Sequence, residues 1–76
     1  MPSSFRSISG KKMVKILEKA GFFVVSQRGS HIKLKRNSQT GTAIVIVPDH
    51  KEITPGTFKN ILRTANLSLA DFDTLN

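Results

Sequence analysis

Two short segments, one near each end of the sequence, repeat apolar residues at the spacing of a helix with one buried side. The first series is Met13, Ile16, Leu17 and Ala20, and the second is Phe58, Ile61, Leu62 and Ala65. Each follows the i, i+3, i+4, i+7 pattern that places its members on one helical face. Ser9 precedes the first series as a candidate N-cap, and Thr54 with Pro55 precedes the second. The sequence therefore predicts two helices that cover an apolar surface lying between them in the chain.

The segment between these helices has the features of a β-hairpin. Residues 22–28 are rich in β-forming side chains, and residues 31–36 alternate between apolar and polar side chains. Gly29 and Ser30 separate the two runs, which is the length of a tight hairpin turn. The pattern predicts that Arg28 lies opposite His31 across this turn.

A third strand and a short C-terminal helix complete the expected fold. Residues 37–41 read as a polar turn, and residues 42–47 as a strand that Pro48 ends. Ser68 and Asp71 have the spacing of a short capping box. The predicted fold class is α+β, an α-β-β-β-α two-layer sandwich whose three-stranded antiparallel sheet carries two helices on one face.

Length and composition narrow the class of protein. With 76 residues, 38% of them hydrophobic, the chain is expected to form a single domain over residues 1–76, with residues 1–8 flexible. The absence of cysteine excludes disulfides, thiolate metal sites and thiol nucleophiles. The longest apolar run, residues 43–47, is far shorter than a membrane helix, and the N-terminus has no secretory signal. We expect a cytoplasmic protein without a membrane partner.

The positive charge is concentrated in the first half of the chain. Twelve Lys and Arg against five Asp and Glu give a formal net charge of +7. Nine of the basic residues and only one acidic residue, Glu18, fall within residues 1–36. Folding gains nothing from like charges, so this asymmetry favours a polyanionic partner such as nucleic acid or an acidic protein surface.

Alternation along the hairpin assigns its side chains to two faces. Phe23, Val25, Ile32 and Leu34 are expected on the face that meets the helices. The other face is expected to show Phe22, Val24, Ser26, Arg28, His31, Lys33 and Lys35. His31 would thus project away from the core among cations, which leaves a functional and a structural role for this histidine equally open at this point.

The third strand is apolar at every position from 43 to 47, so one of its rows should lie on the uncovered face. Two interpretations remain open. The row is a protein-binding surface, or the C-terminal segment with Leu69, Phe72 and Leu75 folds back over it.

Few groups remain for chemistry. His31 and His50, with Asp49 and Glu52, are too few for a metal signature, and the sequence has neither a phosphate-binding glycine loop nor a serine nucleophile motif. We expect no metal and no cofactor. One reaction suits a histidine on a cationic surface, namely cleavage of RNA by its own 2′-hydroxyl. The substrate then supplies the nucleophile, and the protein supplies only proton transfer and charge stabilisation.

Several short motifs, in order along the chain, resemble the HicA family of mRNA interferase toxins. They are Ser9-Gly10-Lys11, Leu17-Glu18-Lys19-Ala20-Gly21-Phe22, Gly29-Ser30-His31, Val47-Pro48-Asp49-His50, Glu52-Ile53, Pro55-Gly56-Thr57, Ile61-Leu62 and Ala65-Asn66-Leu67-Ser68. Their order and spacing carry the resemblance over roughly residues 8–72. Phe58 and Asn66 depart from the family's usual aliphatic residue and glycine, but Asn tolerates the left-handed conformation of a helix stop.

This resemblance implies a double-stranded-RNA-binding-domain-like fold and a toxin of a type II toxin–antitoxin pair. It further implies an mRNA-cleaving endoribonuclease that is a monomer alone and forms a hetero-oligomer with a HicB-type antitoxin. The family's catalytic histidine falls on His31. The residues expected to bind RNA are Arg28, Gly29, Ser30, Lys33, Lys35 and, on the first helix, Lys12. His50 is either a second proton-transfer group or a structural loop residue.

A second class of function stays open, a non-catalytic module that binds double-stranded RNA. Such modules place several lysines at the start of their second helix. Here that helix is expected to carry only Lys59 in its first turns, which counts against this alternative. A third interpretation, in which the basic face docks an acidic protein, is compatible with the toxin, because an antitoxin could cover the surface that binds RNA.

Overall fold

The computed structural model describes residues 8–76, so the segment predicted to be flexible lies, apart from Ile8, outside the described residues. The elements in chain order are α1 (Gly10–Lys19), β1 (Phe23–Arg28), β2 (His31–Ser38), β3 (Gly41–Pro48), α2 (Pro55–Ala65) and α3 (Leu69–Leu75). The predicted α-β-β-β-α order with a short C-terminal helix is confirmed. None of the helices in residues 8–76 is both long enough and apolar enough to cross a membrane.

Each helix begins at the capping residue that the sequence predicts. The Ser9 hydroxyl accepts a hydrogen bond from the Lys12 backbone N–H at 3.0 Å. The Thr54 hydroxyl accepts one from the Thr57 N–H at 3.3 Å. Ser68 forms a reciprocal capping box with the third residue of α3. These bonds satisfy backbone donors that a helix start leaves without partners.

The sheet is antiparallel in the order β1-β2-β3, so β1 and β3 are its edges. The predicted hairpin register, with Arg28 opposite His31, is confirmed. The second turn is tighter than predicted. The pairing of β2 with β3 continues to Ser38 and Gly41, which leaves only residues 39 and 40 to connect the strands.

The face assignment in the first half of β1 was wrong. A bulge interrupts the pairing between Val24 and Ser26, so the alternation shifts by one residue there. Phe22 is therefore buried, whereas Phe23 and Val25 are exposed. Val24 lies opposite Leu34, on the side of the sheet that faces the helices.

The core lies between the helices and the side of the sheet that we call the inner face. Leu34, Val45 and Val47 are its central strand residues, and the predicted helical series supply Met13, Ile16 and Leu17 from α1 and Phe58, Ile61 and Leu62 from α2. The opposite side of the sheet, which we call the open face, carries Ile44 and Ile46, which are 44% and 47% exposed.

The C-terminal segment joins the core and not the open face. The Phe72 ring of α3 is buried edge-on against the Phe58 ring, with centroids 4.9 Å apart. Leu75 packs against the core, while Leu69 is exposed. Of the two interpretations of the apolar third strand, covering by the C-terminal segment is therefore excluded, and an apolar row stays exposed on the open face.

Arg36 joins three elements on the inner face. Its guanidinium donates to the Ala20 carbonyl at the end of α1 (3.0 Å) and to the Ala65 carbonyl at the end of α2 (3.2 Å). Its Cζ atom lies 4.8 Å from the centre of the Phe22 ring. A cation at two helix C-termini meets the partial negative charge of both helices and satisfies carbonyls that the helices leave open.

Candidate functional site

His31 is the first residue of β2 and lies on the open face, where its side chain is exposed. It is paired with Arg28 on β1 and with Pro48 on β3. No hydrogen bond joins its imidazole to another side chain or to the backbone within residues 8–76. The position is thus reached by solvent, and both ring nitrogens are available to a ligand.

The open face places further cations beside this histidine. Arg28 lies directly across the hairpin and is exposed, and Lys33 follows His31 on the same side of β2. Lys35 continues the row but is half-buried, between Phe23 on β1 and Ile44 on β3. The three cations and His31 therefore share one face, with Arg28 and Lys33 as the nearest neighbours by register.

The hairpin turn beside His31 is open and tied to its surroundings. Gly29 has a positive φ of 56°, which L side chains rarely adopt, and no atom lies within 4 Å of the place where a Cβ would stand. The Gln27 side-chain amide donates to the Gly29 carbonyl at 3.0 Å. The Asp49 N–H donates to the Ser30 carbonyl at 2.6 Å. These bonds fix the turn against the loop that follows β3.

His50 lies in this loop, and its side chain is exposed. Its carbonyl accepts a hydrogen bond from the Gly10 N–H at 2.9 Å, which joins the loop to the start of α1. Gly10 is needed for this approach, because a Cβ there would overlap the Pro48 carbonyl oxygen. The loop thus brings His50 to the same end of the sheet as His31, since Pro48 is the pairing partner of His31.

The structure brings most, but not all, of the predicted site residues together. Arg28, Gly29, Ser30 and His31 are consecutive around one turn, and Lys33 lies next along the open face. Lys12 lies elsewhere. It is exposed on α1, in the helical layer on the other side of the sheet.

Sequence reasoning missed a groove beside the hairpin. It lies between α1 and β1, has a volume of about 320 Å³, and its lining includes Lys15, Val24, Gln27 and Asp49. Asp49 stood out only within the Val47-Pro48-Asp49-His50 motif and Gln27 in none, and only the fold places both in one groove with α1. Among residues 8–76, no group of three His, Asp or Glu side chains comes together as a metal site would need.

Comparison with known proteins identifies the family of this chain. A family model described as "HicA toxin of bacterial toxin-antitoxin" matches residues 10–67, which is well over half of the chain. A search of curated proteins found no match. The matched range contains all three strands, α1, α2 and the hairpin with His31. The chain therefore belongs to the HicA family, the toxins of bacterial toxin–antitoxin systems, and its membership implies an antitoxin as partner.

Proposed function

We propose that this toxin is an endoribonuclease that cleaves mRNA without a metal, and that His31 is its catalytic residue. The observation that carries the proposal is the position of His31, exposed at the end of the open face with Arg28 and Lys33 beside it. A histidine that packs in no core and forms no hydrogen bond within residues 8–76 has no evident structural task. Proton transfer at a bound phosphate gives it one.

In the proposed reaction the 2′-hydroxyl oxygen of the RNA attacks the adjacent phosphorus, and the bond from phosphorus to the 5′-oxygen breaks. The 2′-hydroxyl loses its proton and the leaving 5′-oxygen gains one, so the products are a 2′,3′-cyclic phosphate and a 5′-hydroxyl. His31 takes or gives one of these protons, and His50 or water handles the other. One positioned acid–base group contributes about 10²–10⁴-fold.

The cations of the open face act on the phosphate in this proposal. Arg28 and Lys33 hold the RNA backbone beside His31, and Lys35 extends the contact along β2. Their charge offsets the negative charge that develops at phosphorus in the transition state. Gly29 and Ser30 keep the turn small, so that an RNA chain can approach closely. Lys12 is proposed as a more distant electrostatic contact.

The same surface suits the antitoxin partner, which we propose to be of the HicB type. An inhibitor that covers the open face would hide His31 and neutralise the surrounding cations. The exposed Ile44 and Ile46 beside the lysine row would give such a partner an apolar contact. Because its proposed substrate is translated mRNA, the proposed site of action is the cytoplasm.

The test is a cleavage assay on single-stranded RNA in EDTA, with the wild type and the His31→Ala variant. We expect the wild type to cleave, His31→Ala to lose at least about 10²-fold in rate, and a strand with a 2′-deoxy substitution at the cleaved position to resist both. His50→Ala separates the two histidines, because a second proton-transfer group would also lower the rate.

Two results would contradict the proposal. Cleavage that His31→Ala retains would remove His31 from the reaction. Salt-sensitive binding of duplex RNA without any cleavage would favour the alternative, a non-catalytic double-stranded RNA-binding module.

A further inference from the structure

We propose that the groove between α1 and β1 binds one nucleobase of a single-stranded RNA and prefers bases that carry an exocyclic amino group over uracil. This inference deepens the proposed function, because it assigns base preference to a surface next to the proposed catalytic histidine. It rests on the shape, charge and hydrogen-bonding groups of the groove.

The walls of the groove suit a flat, partly apolar ring beside a phosphate. Val14, Val24 and Ile32 supply apolar surface, and Lys11 and Lys15 stand on the helical wall. The volume of about 320 Å³ lies at the lower end of the range for small-ligand sites. An apolar wall with cations at its rim fits a nucleotide better than an uncharged ligand, because the base meets the wall and the lysines meet the backbone.

With Lys11 and Lys15 engaged by the RNA backbone, the polar side chains left to meet the base, Glu18, Gln27 and Asp49, mainly accept hydrogen bonds. The Asp49 carboxylate accepts only, and it is half-buried. The Gln27 amide nitrogen is already used, donating to the Gly29 carbonyl at 3.0 Å and to Asp49 Oδ2 at 3.4 Å. Asp49 Oδ1 and Gln27 Oε1 form no hydrogen bond within residues 8–76, so both are left to accept one from a ligand.

An acceptor-rich site selects the donors of a base edge. Cytosine, adenine and guanine each carry an amino group that can donate to a carboxylate. Uracil carries O4 where cytosine carries its amino group, so N3–H is the one donor on its base-pairing edge, and O4 would face the Asp49 carboxylate without a hydrogen bond. Glu18, which also lines the groove, adds to this bias.

The groove is adjacent to the proposed catalytic site through the hairpin. Gln27 lies opposite Ile32 on the inner face, and the next pair, Arg28 and His31, lies on the open face. The turn between them is unobstructed at Gly29. An RNA chain that passes over this turn places one nucleotide at His31 and a neighbouring base in the groove.

The experiment compares two probes that differ only in the base edge. Labelled 2′-O-methyl oligocytidine and oligouridine of equal length resist cleavage by the 2′-hydroxyl and carry equal charge, so their phosphate contacts cancel. Binding is followed by fluorescence anisotropy at fixed salt. We expect the wild type to bind the cytidine probe about five-fold or more tightly, and Asp49→Asn to reduce the difference to under about two-fold.

A matched pair of valines tests the groove without changing its charge. Val24→Phe fills the groove and should abolish the preference for cytidine. Val25→Phe, on the same strand with a similar exposure but outside the groove lining, should retain it. Thermal unfolding confirms that each variant is folded, and the valine pair carries the test if Asp49→Asn does not fold.

Equal binding of both probes by the wild type, or a preference that survives both Asp49→Asn and Val24→Phe, would overturn the subsite. The cleavage assay distinguishes this failure from that of the proposed function. A protein that prefers cytidine but cleaves no RNA would support the base subsite and contradict the proposed nuclease activity. A protein that cleaves RNA but shows no preference would support the nuclease activity and contradict the base subsite.

Discussion

The two faces of β2 use the same kind of residue for opposite purposes. On the inner face, the Arg36 guanidinium donates hydrogen bonds to two carbonyls at helix ends and lies over the Phe22 ring. On the open face, Lys33 is exposed and forms no hydrogen bond within residues 8–76. Both residues belong to the basic first half of the chain, and sequence composition treats them alike.

The difference shows that a basic segment is not uniformly a binding surface. Alternation along a strand sends neighbouring cations to different environments, and of the cations on β2 those on the open face are the ones left to meet a polyanion. The net charge of +7 therefore overstates the charge available to RNA, because Arg36 already neutralises the ends of two helices.

The largest expected difference in the free energy of unfolding is between substitutions at two adjacent residues of β2 that lie on opposite faces. Leu34 is fully buried in the core, so Leu34→Ala should lower the free energy of unfolding by about 2–5 kcal/mol through lost burial and a residual cavity. Lys33→Ala should change it by less than about 0.5 kcal/mol. Urea unfolding measures both, and similar values for the two variants would break the division between the faces.

The next largest effect on the free energy of unfolding is expected at Arg36, whose hydrogen bonds to the Ala20 and Ala65 carbonyls we call the Arg36 clamp. Arg36→Ala leaves the Ala20 and Ala65 carbonyls without their charged donor and should cost about 1–3 kcal/mol. Arg36→Lys keeps the charge but loses the planar fork that reaches both carbonyls, so it should recover only part of this loss. Lys35→Ala, at a half-buried position on the other face, is the control. If Lys35→Ala lowered the free energy of unfolding as much as Arg36→Ala does, the hydrogen bonds of Arg36 to the two carbonyls would not explain the loss.

A substitution in the turn between β1 and β2 should have a smaller effect on stability. Gly29→Ala places a side chain at φ 56° and should cost about 1–2 kcal/mol from backbone strain alone, since nothing crowds the new Cβ. Gly56→Ala in α2 also adds a methyl group in open space, but it should be neutral or slightly stabilising. If Gly29→Ala and Gly56→Ala changed the melting temperature equally, the positive φ at position 29 would not be the reason for glycine there.

The smallest effect is electrostatic and distinguishes the cations directly. Each phosphate contact to single-stranded RNA contributes about 0.7 to the slope of log affinity against log salt. Lys33→Ala should reduce that slope by about this amount, whereas Arg36→Ala, measured where it is folded, should leave it unchanged. Anisotropy titrations at several salt concentrations measure the slopes. A slope reduced equally in Arg36→Ala would place Arg36 in contact with RNA.

Local rules predicted the helices and the hairpin register because their signals lie within a few residues. Ser9, Thr54 and Ser68 act on backbone groups of their own first turns. The turn at Gly29 similarly fixes the pairing of the two residues beside it.

Features that depend on distant parts of the chain escaped prediction. Residues 22–25 are all apolar, so no polar side chain marks the bulge that moves Phe22 into the core. Arg36 depends on two helix ends meeting at one point. The groove beside the hairpin likewise exists only because the fold brings α1, β1 and the loop after β3 around one space.

The most direct test of this account measures stability and RNA cleavage together in two variants, His31→Ala and Arg36→Lys. We expect His31→Ala to lose at least about 10²-fold in kcat/KM and to keep the melting temperature of the wild type. We expect Arg36→Lys to melt at a lower temperature yet to cleave at the wild-type rate where it is folded. A large fall in the melting temperature of His31→Ala, or undiminished cleavage by it, would contradict the central claim that His31 serves the reaction and not the fold.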